Sequence, residues 1–185
     1  MNSAINNNGV SGYSANSVHR FRNEQIPRFC IFLLYHFIQQ FKRNMSLGIA
    51  LLRALAKKAA SVLGKSFDIE IVEAHHNRKA DSPSGTALML LDAVKQGCES
   101  PREAVFGRHG RDCKRQKQEI GVHALRGGTV TGEHEVCFFG NSERVKISHS
   151  AENRSVFAAG ALQAAMFLVG KEPGLYNMDD VVGQI

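Results

Sequence analysis

The four cysteines of this chain form no Cys-x-x-Cys pair, its apolar runs are short, and no glycine-rich turn follows a strand near its start. Each absence excludes something. Cys30, Cys98, Cys113 and Cys137 read as free thiols of a reducing compartment. The apolar run Phe29 to Ile38 is too short to span a membrane, and as a signal core it lies late with no small-residue cleavage site after it. A dinucleotide fold needs a strand, a Gly-rich turn and a helix start, repeated in several βα units. Nothing of that kind precedes Asn44, where too few residues remain for it. Acidic residues are scarce there too: Glu24 stands alone against Arg20, Arg22, Arg28, Lys42 and Arg43. A Ser- and Arg-rich, acid-poor start suits an organelle transit peptide. The other reading, a disordered or non-native segment over 1–43, is preferred. The net charge of +6 and pI of about 9.3 favour anionic partners but do not by themselves mean nucleic acid. The one dense basic cluster, Arg108 to Lys117, has no nucleic-acid motif beside it and reads as a flexible, solvated loop.

What is present begins with size. The 185 residues, 43% of them hydrophobic, suffice for a core and for one domain or one and a half. The densest chemistry lies between Glu73 and Ala87, read Glu-Ala-His-His-Asn-Arg-Lys-Ala-Asp-Ser-Pro-Ser-Gly-Thr-Ala. Asp68 to Val72 alternates and predicts a strand; Thr86 to Lys95 predicts a helix. Ser84 or Thr86 can cap that helix, and Gly85 lets a ligand approach the backbone. Helix-start N–H groups with Lys79 suit a carboxylate or phosphate. His75 and His76 point to opposite faces if the strand continues through them; a histidine can donate or accept a proton near neutral pH. The composite suggests a site for a small anion with proton transfer nearby. A metal held by His75, His76 and Asp81 ranks low, since no second His/Cys cluster supports it. The plainer alternative is a surface histidine pair and an ordinary cap.

Around this stretch, Asn44 to Gly64 predicts a helix capped by Asn44 or Ser46, with Leu47, Leu51, Leu55, Ala59 and Val62 as its core stripe. Gly97 to Gln118 is polar and predicts a mobile connection. Strands return at Ile120–Arg126, Val136–Phe139 and Arg144–His149, giving about four strands in a mixed sheet of an α+β fold. Glu133 and His134 are catalytic candidates, with a structural role in the sheet favoured. Ser150 to Val169 predicts a last long helix with an apolar stripe from Ala158 to Val169.

Taken together, the fifteen residues from Glu73 to Ala87 resemble the signature of 4-hydroxy-tetrahydrodipicolinate (dihydrodipicolinate) reductases, at every fixed position. Asn44-Met45-Ser46-Leu47-Gly48 resembles that family's hinge, Arg126-x-Gly128 to Gly132-Glu133-His134 its sheet, and Arg154-x-x-Phe157-Ala158-x-Gly160-Ala161 its last helix. The resemblance stops abruptly before Asn44. It implies NADH- or NADPH-dependent reduction of 4-hydroxy-tetrahydrodipicolinate in lysine biosynthesis through diaminopimelate. It implies His75 as general acid/base assisted by Lys79, and His76, Lys79, Ser84, Gly85 and Thr86 around the dicarboxylate. Asn44, Met45, Arg154 and Phe157 fall on the cofactor side, and no metal is implied. The implied organisation is a substrate-binding and oligomerisation domain over 44–150 and a helix and tail over 151–185 that packs on a dinucleotide domain. The implied partners are a small dicarboxylate and further copies in a homotetramer, with no nucleic acid and no membrane. The location is cytoplasmic, or plastid if 1–43 is a transit peptide. With most of the cofactor domain missing, turnover is expected to be weak or absent. The alternative is a non-catalytic oligomerising or dicarboxylate-binding fragment.

Overall fold

The computed structural model describes residues 44–183, which lie in one compact unit. The readings made for residues 1–43, Cys30 included, lie outside the described residues. Helix α1 (Leu47–Leu63) comes first. Strand β1 (Asp68–His75) leads into α2 (Gly85–Gly97). Four strands follow: β2 (Glu103–Phe106), β3 (Glu119–Arg126), β4 (Gly132–Phe139) and β5 (Arg144–Ala151). Helices α3 (Ser155–Phe167) and α4 (Met178–Val182) close the chain. None of these helices is long and apolar enough to cross a membrane.

The strands form one mixed sheet in the order β2-β3-β1-β4-β5. β2, β3 and β1 run parallel, and β4 and β5 continue antiparallel. This is the expected α+β architecture with five strands rather than about four. The additional strand, β2, lies in the segment expected to be a mobile connection. Four residues at a sheet edge are too few for alternation to show. The basic cluster after it is anchored, not free. Arg108 donates to Glu119 at 2.9 Å, and Arg115 bonds Asp68 at 2.7 Å and Glu70 at 3.0 Å. Three carboxylates far away in sequence, or beyond a turn, hold what a local reading takes for a solvated loop.

Side chains alternate across a strand, so each face of the sheet carries every second residue. The register aligns Ile69, Ile120, Phe138 and Val145 in one row of the covered face, and Ile71, Val122, Val136 and Ile147 in the next. These rows, with Ile49, Leu52, Ala56 and Ala60 of α1 and Ala87, Leu90, Leu91 and Val94 of α2, are the core. The core stripe of α1 is therefore not the one expected. Leu51, Leu55 and Val62 are 48%, 45% and 65% exposed, while Ala56 and Ala60 are sealed. The reason is close helix packing. A Cβ at Gly97 of α2 would overlap the Lys57 carbonyl, so only the small-residue face of α1 fits there. A reading weighted toward large apolar residues selects the wrong side.

The last helix is shorter than expected. Ser150 and Ala151 pair with Glu133 and Gly132 and so extend β5. Asn153 Oδ1 then accepts from Ser155 N at 2.9 Å and starts α3. Gly160 and Ala164 are its buried residues; Leu162, Met166 and Val169 around its outer side and end are 68%, 65% and 82% exposed.

Candidate functional site

The covered face of the sheet changes character halfway along. Beyond the two apolar rows, the next row is Glu73, Ala124, His134 and His149, and the one after it His75, Arg126, Gly132 and Ala151. The apolar half makes the core; the polar half, at the carboxyl end of β1, contributes His75, Gly132, His134, His149 and Ala151 to the lining of a cavity of about 1090 Å³. Open α/β sheets place ligands at this end of their parallel strands.

Strand β1 stops at His75. The chain then turns: Lys79 N donates to the His76 carbonyl at 3.1 Å. The two histidines therefore do not end on opposite faces; both line the cavity, together with Lys79, Ser84, Gly85 and Thr86. Ser84 caps α2, its Oγ accepting from Ala87 N at 3.1 Å. The first N–H groups of a helix have no partner within it. With Ala87 satisfied, those of Gly85 and Thr86 remain for a ligand. Nothing lies within 4 Å of where a Gly85 Cβ would stand, so the approach is open. Lys79 Nζ pairs with Asp81 Oδ1 at 2.8 Å. Lys79 in turn holds the Asp81 carboxyl below the usual range, against its burial.

The opposite wall comes from the hinge before α1 and from the segment after β5. Asn44 Nδ2 donates to Thr86 Oγ1 at 3.0 Å, tying the hinge to the start of α2. Ser46, the other candidate cap, is the cap of α1, with Ile49 N donating to its Oγ at 3.3 Å. Asn44, Arg154 and Phe157 line the cavity; Met45 does not. Its carbonyl packs on α3, where a Cβ at Gly160 would overlap it.

Three residues with no expected part in the site, Glu73, Arg126 and His149, and the catalytic candidate His134 complete its surroundings. Glu73, 1% exposed, accepts from Ser84 N at 2.9 Å and contacts His75 Nδ1 at 2.5 Å. Arg126 donates to both Glu73 oxygens, at 2.9 and 2.8 Å. Burial would raise the Glu73 carboxyl, but Arg126, His75 and the Ser84 N–H outweigh it and hold it low. His134, expected to serve the sheet, lies in the cavity wall. It stands edge-on to His75 at 5.2 Å and within 3.1 Å of Ser84 Oγ. Burial, and then the charge of His75, push it down to about 4. His149, its cross-strand partner, is also lowered by burial. A Cβ at Gly48 would come within 2.7 Å of the His149 ring. Glu133 is exposed and outside the cavity. The Glu73–His75 pairing was legible as an i, i+2 spacing; Arg126 and His149 arrive through strand register, which spacing along the chain does not carry.

His76 is lowered first by burial and then by Arg78, Arg154, His75 and Lys79. The cavity is thus a cationic field that disfavours further positive charge and suits an anion. No three His, Cys, Asp or Glu side chains converge as metal ligands among the described residues.

Residues 48–182 match the family described as "Dihydrodipicolinate reductase, C-terminus". The chain is 58% identical over 139 residues to the 4-hydroxy-tetrahydrodipicolinate reductase of Caldanaerobacter subterraneus subsp. tengcongensis, covering 75% of this chain and 55% of that protein. It is 52% identical over 136 residues to the enzyme of the same name from Clostridium tetani, covering 74% and 53%. The chain spans about half the length of the curated relatives it matches. A dipicolinate-bound dihydrodipicolinate reductase from Paenisporosarcina sp. TG-14 superposes with a TM-score of 0.61 at 22% identity, over 74% of this chain and 52% of that one, which establishes the shared fold.

Proposed function

The chain belongs to the dihydrodipicolinate reductase family through its C-terminal domain, and on that footing we propose that it supplies the dicarboxylate-binding and proton-donating half of the reductase site. The observation that carries this reading is the convergence of a buried, carboxylate-backed histidine with a lysine and a helix start on one cationic cavity. The substrate is 4-hydroxy-tetrahydrodipicolinate. One carboxylate lies against the N–H groups of Gly85 and Thr86, with Ser84 fixing the helix start. Lys79 and His76 face the other charges. His75 donates the proton that the reaction consumes, with Lys79 assisting; the balance is substrate, reduced nicotinamide and a proton in, tetrahydrodipicolinate, oxidised nicotinamide and water out.

NADH or NADPH, when bound, supplies the hydride. Asn44, Arg154 and Phe157 at the cavity rim fit the nicotinamide end, with Met45 acting through its backbone. The described residues include no Gly-rich strand–turn–helix unit to cradle a pyrophosphate. We therefore assign 44–150 to substrate and assembly and 151–185 to the cofactor side, with a homotetramer as the assembly and weak or absent turnover by this chain alone. A non-catalytic dicarboxylate-binding fragment is the second reading, favoured by the half-length match to its relatives. Neither reading involves nucleic acid or a membrane. The free thiols Cys98, Cys113 and Cys137 suit a cytoplasmic location, with a plastid the alternative if residues 1–43 are a transit peptide.

The test is NADH and NADPH oxidation by the purified chain with enzymatically generated substrate. Turnover that disappears in His75→Ala supports a working reductase. No turnover, with dipicolinate still bound, supports the fragment. Turnover unchanged in His75→Ala refutes the assignment of the acid.

A further inference from the structure

We propose that Glu73 is a positioning residue for the acid–base histidine: its carboxylate, clamped by Arg126, holds neutral His75 in the Nδ1–H form and presents Nε2 to the ligand. The inference deepens the functional reading above and rests on it. It follows from counting protons on one buried group. The two Glu73 oxygens meet four nitrogens: His75 Nδ1 at 2.5 Å, Ser84 N at 2.9 Å, and the two terminal nitrogens of Arg126 at 2.9 and 2.8 Å. The Ser84 amide and the Arg126 guanidinium can only donate. Held ionised among them, the carboxylate has no proton to give, so Nδ1 must be the donor. In the neutral ring Nε2 is then bare, and it is the atom that takes up a proton to form the imidazolium that donates to the substrate.

The surroundings leave Nε2 to the cavity. A Cβ at Gly132 would come within 3.1 Å of it, so glycine there keeps the nitrogen open. The neighbouring His134 stands edge-on and directs its own Nε2 to Ser84 Oγ. The same clamp reaches further. Arg126 Nη2 also donates to the Asp81 carbonyl at 2.7 Å, on the loop that carries Lys79. One carboxylate and one guanidinium thus place the proton donor, the helix start and the lysine loop relative to one another. A preorganised orienting group of this kind fixes tautomer and ring direction without touching substrate.

The test is long-range proton–nitrogen NMR of the full chain carrying nitrogen-15 histidine, at alkaline pH, with His75 assigned by its loss in His75→Gln. The expected pattern is a protonated, pyrrole-type Nδ1 and an unprotonated, pyridine-type Nε2. In Glu73→Gln, whose amide can either donate or accept, that pattern collapses toward a tautomer average. A wild-type His75 that is averaged, or protonated at Nε2, overturns the proposal even if the variant does not fold. So does a folded Glu73→Gln that keeps the wild-type pattern, since a purely structural glutamate would leave the tautomer alone. Dipicolinate binding, measured on the same samples by calorimetry, reports separately on the functional reading.

Discussion

Acid should weaken this fold through His134 before it reaches the carboxylates. His134 is 4% exposed, and burial followed by the His75 charge lowers it from 6.5 to about 4. A histidine lowered by folding binds more protons when unfolded. Stability is therefore highest above the unfolded value and falls as pH drops from about 6.5 toward about 4. Integrated between about pH 7 and about pH 5, this one group removes about 2 kcal/mol. His149 and His76 are lowered as well and add in the same direction. Glu73 is depressed, so its contribution is present above the unfolded carboxylate range and disappears only at lower pH. Urea denaturation of the wild type and of His134→Gln at both pH values isolates the histidine. The variant should lose about 2 kcal/mol less than the wild type on acidification, whatever its stability at neutral pH. Equal losses in both proteins would refute the reasoning.

The two apolar sides of α1 give a second prediction. Leu52→Ala should cost about 2–5 kcal/mol, whereas Leu55→Ala, on the exposed side, should cost less than about 1 kcal/mol; equal costs by chemical denaturation would restore the stripe of Leu51, Leu55 and Val62 as the core. A third concerns protons. Beyond burial, neighbouring positive charges lower His76 and His134, so a dianion that offsets those charges raises both and takes up protons. Dipicolinate should bind more tightly as pH falls from about 8 toward about 6. Calorimetry in buffers of different ionisation enthalpy reads the uptake, and proton release would contradict the charge reading.

Much of the site was legible because it is local. His75, His76, Lys79, Ser84, Gly85 and Thr86 sit within about a dozen residues, and a strand, a turn and a helix cap carry them. The family resemblance rests on the same stretch. What escaped was non-local or small. Arg126, behind Glu73, and His149, in the cavity wall, arrive through register between β1, β3, β4 and β5, as does His134, whose catalytic candidacy ranked below a role in the sheet; register depends on pairings that a single strand does not specify. Strand β2 is too short to alternate. The core side of α1 is set by Ala56, Ala60 and Gly97, whose value lies in letting two helices approach; hydrophobic size points to the leucines on the other side. The basic loop is ordered by distant carboxylates, which composition alone cannot foresee.

The most direct test of the central claim is a calorimetric titration of the full chain with dipicolinate, beside Lys79→Ala and Gly85→Pro. The account predicts one saturable site, weakened about tenfold or more in each variant, because each removes a charge-assisted or backbone donor to a carboxylate. No binding to the wild type, or undiminished binding to both variants, would contradict it.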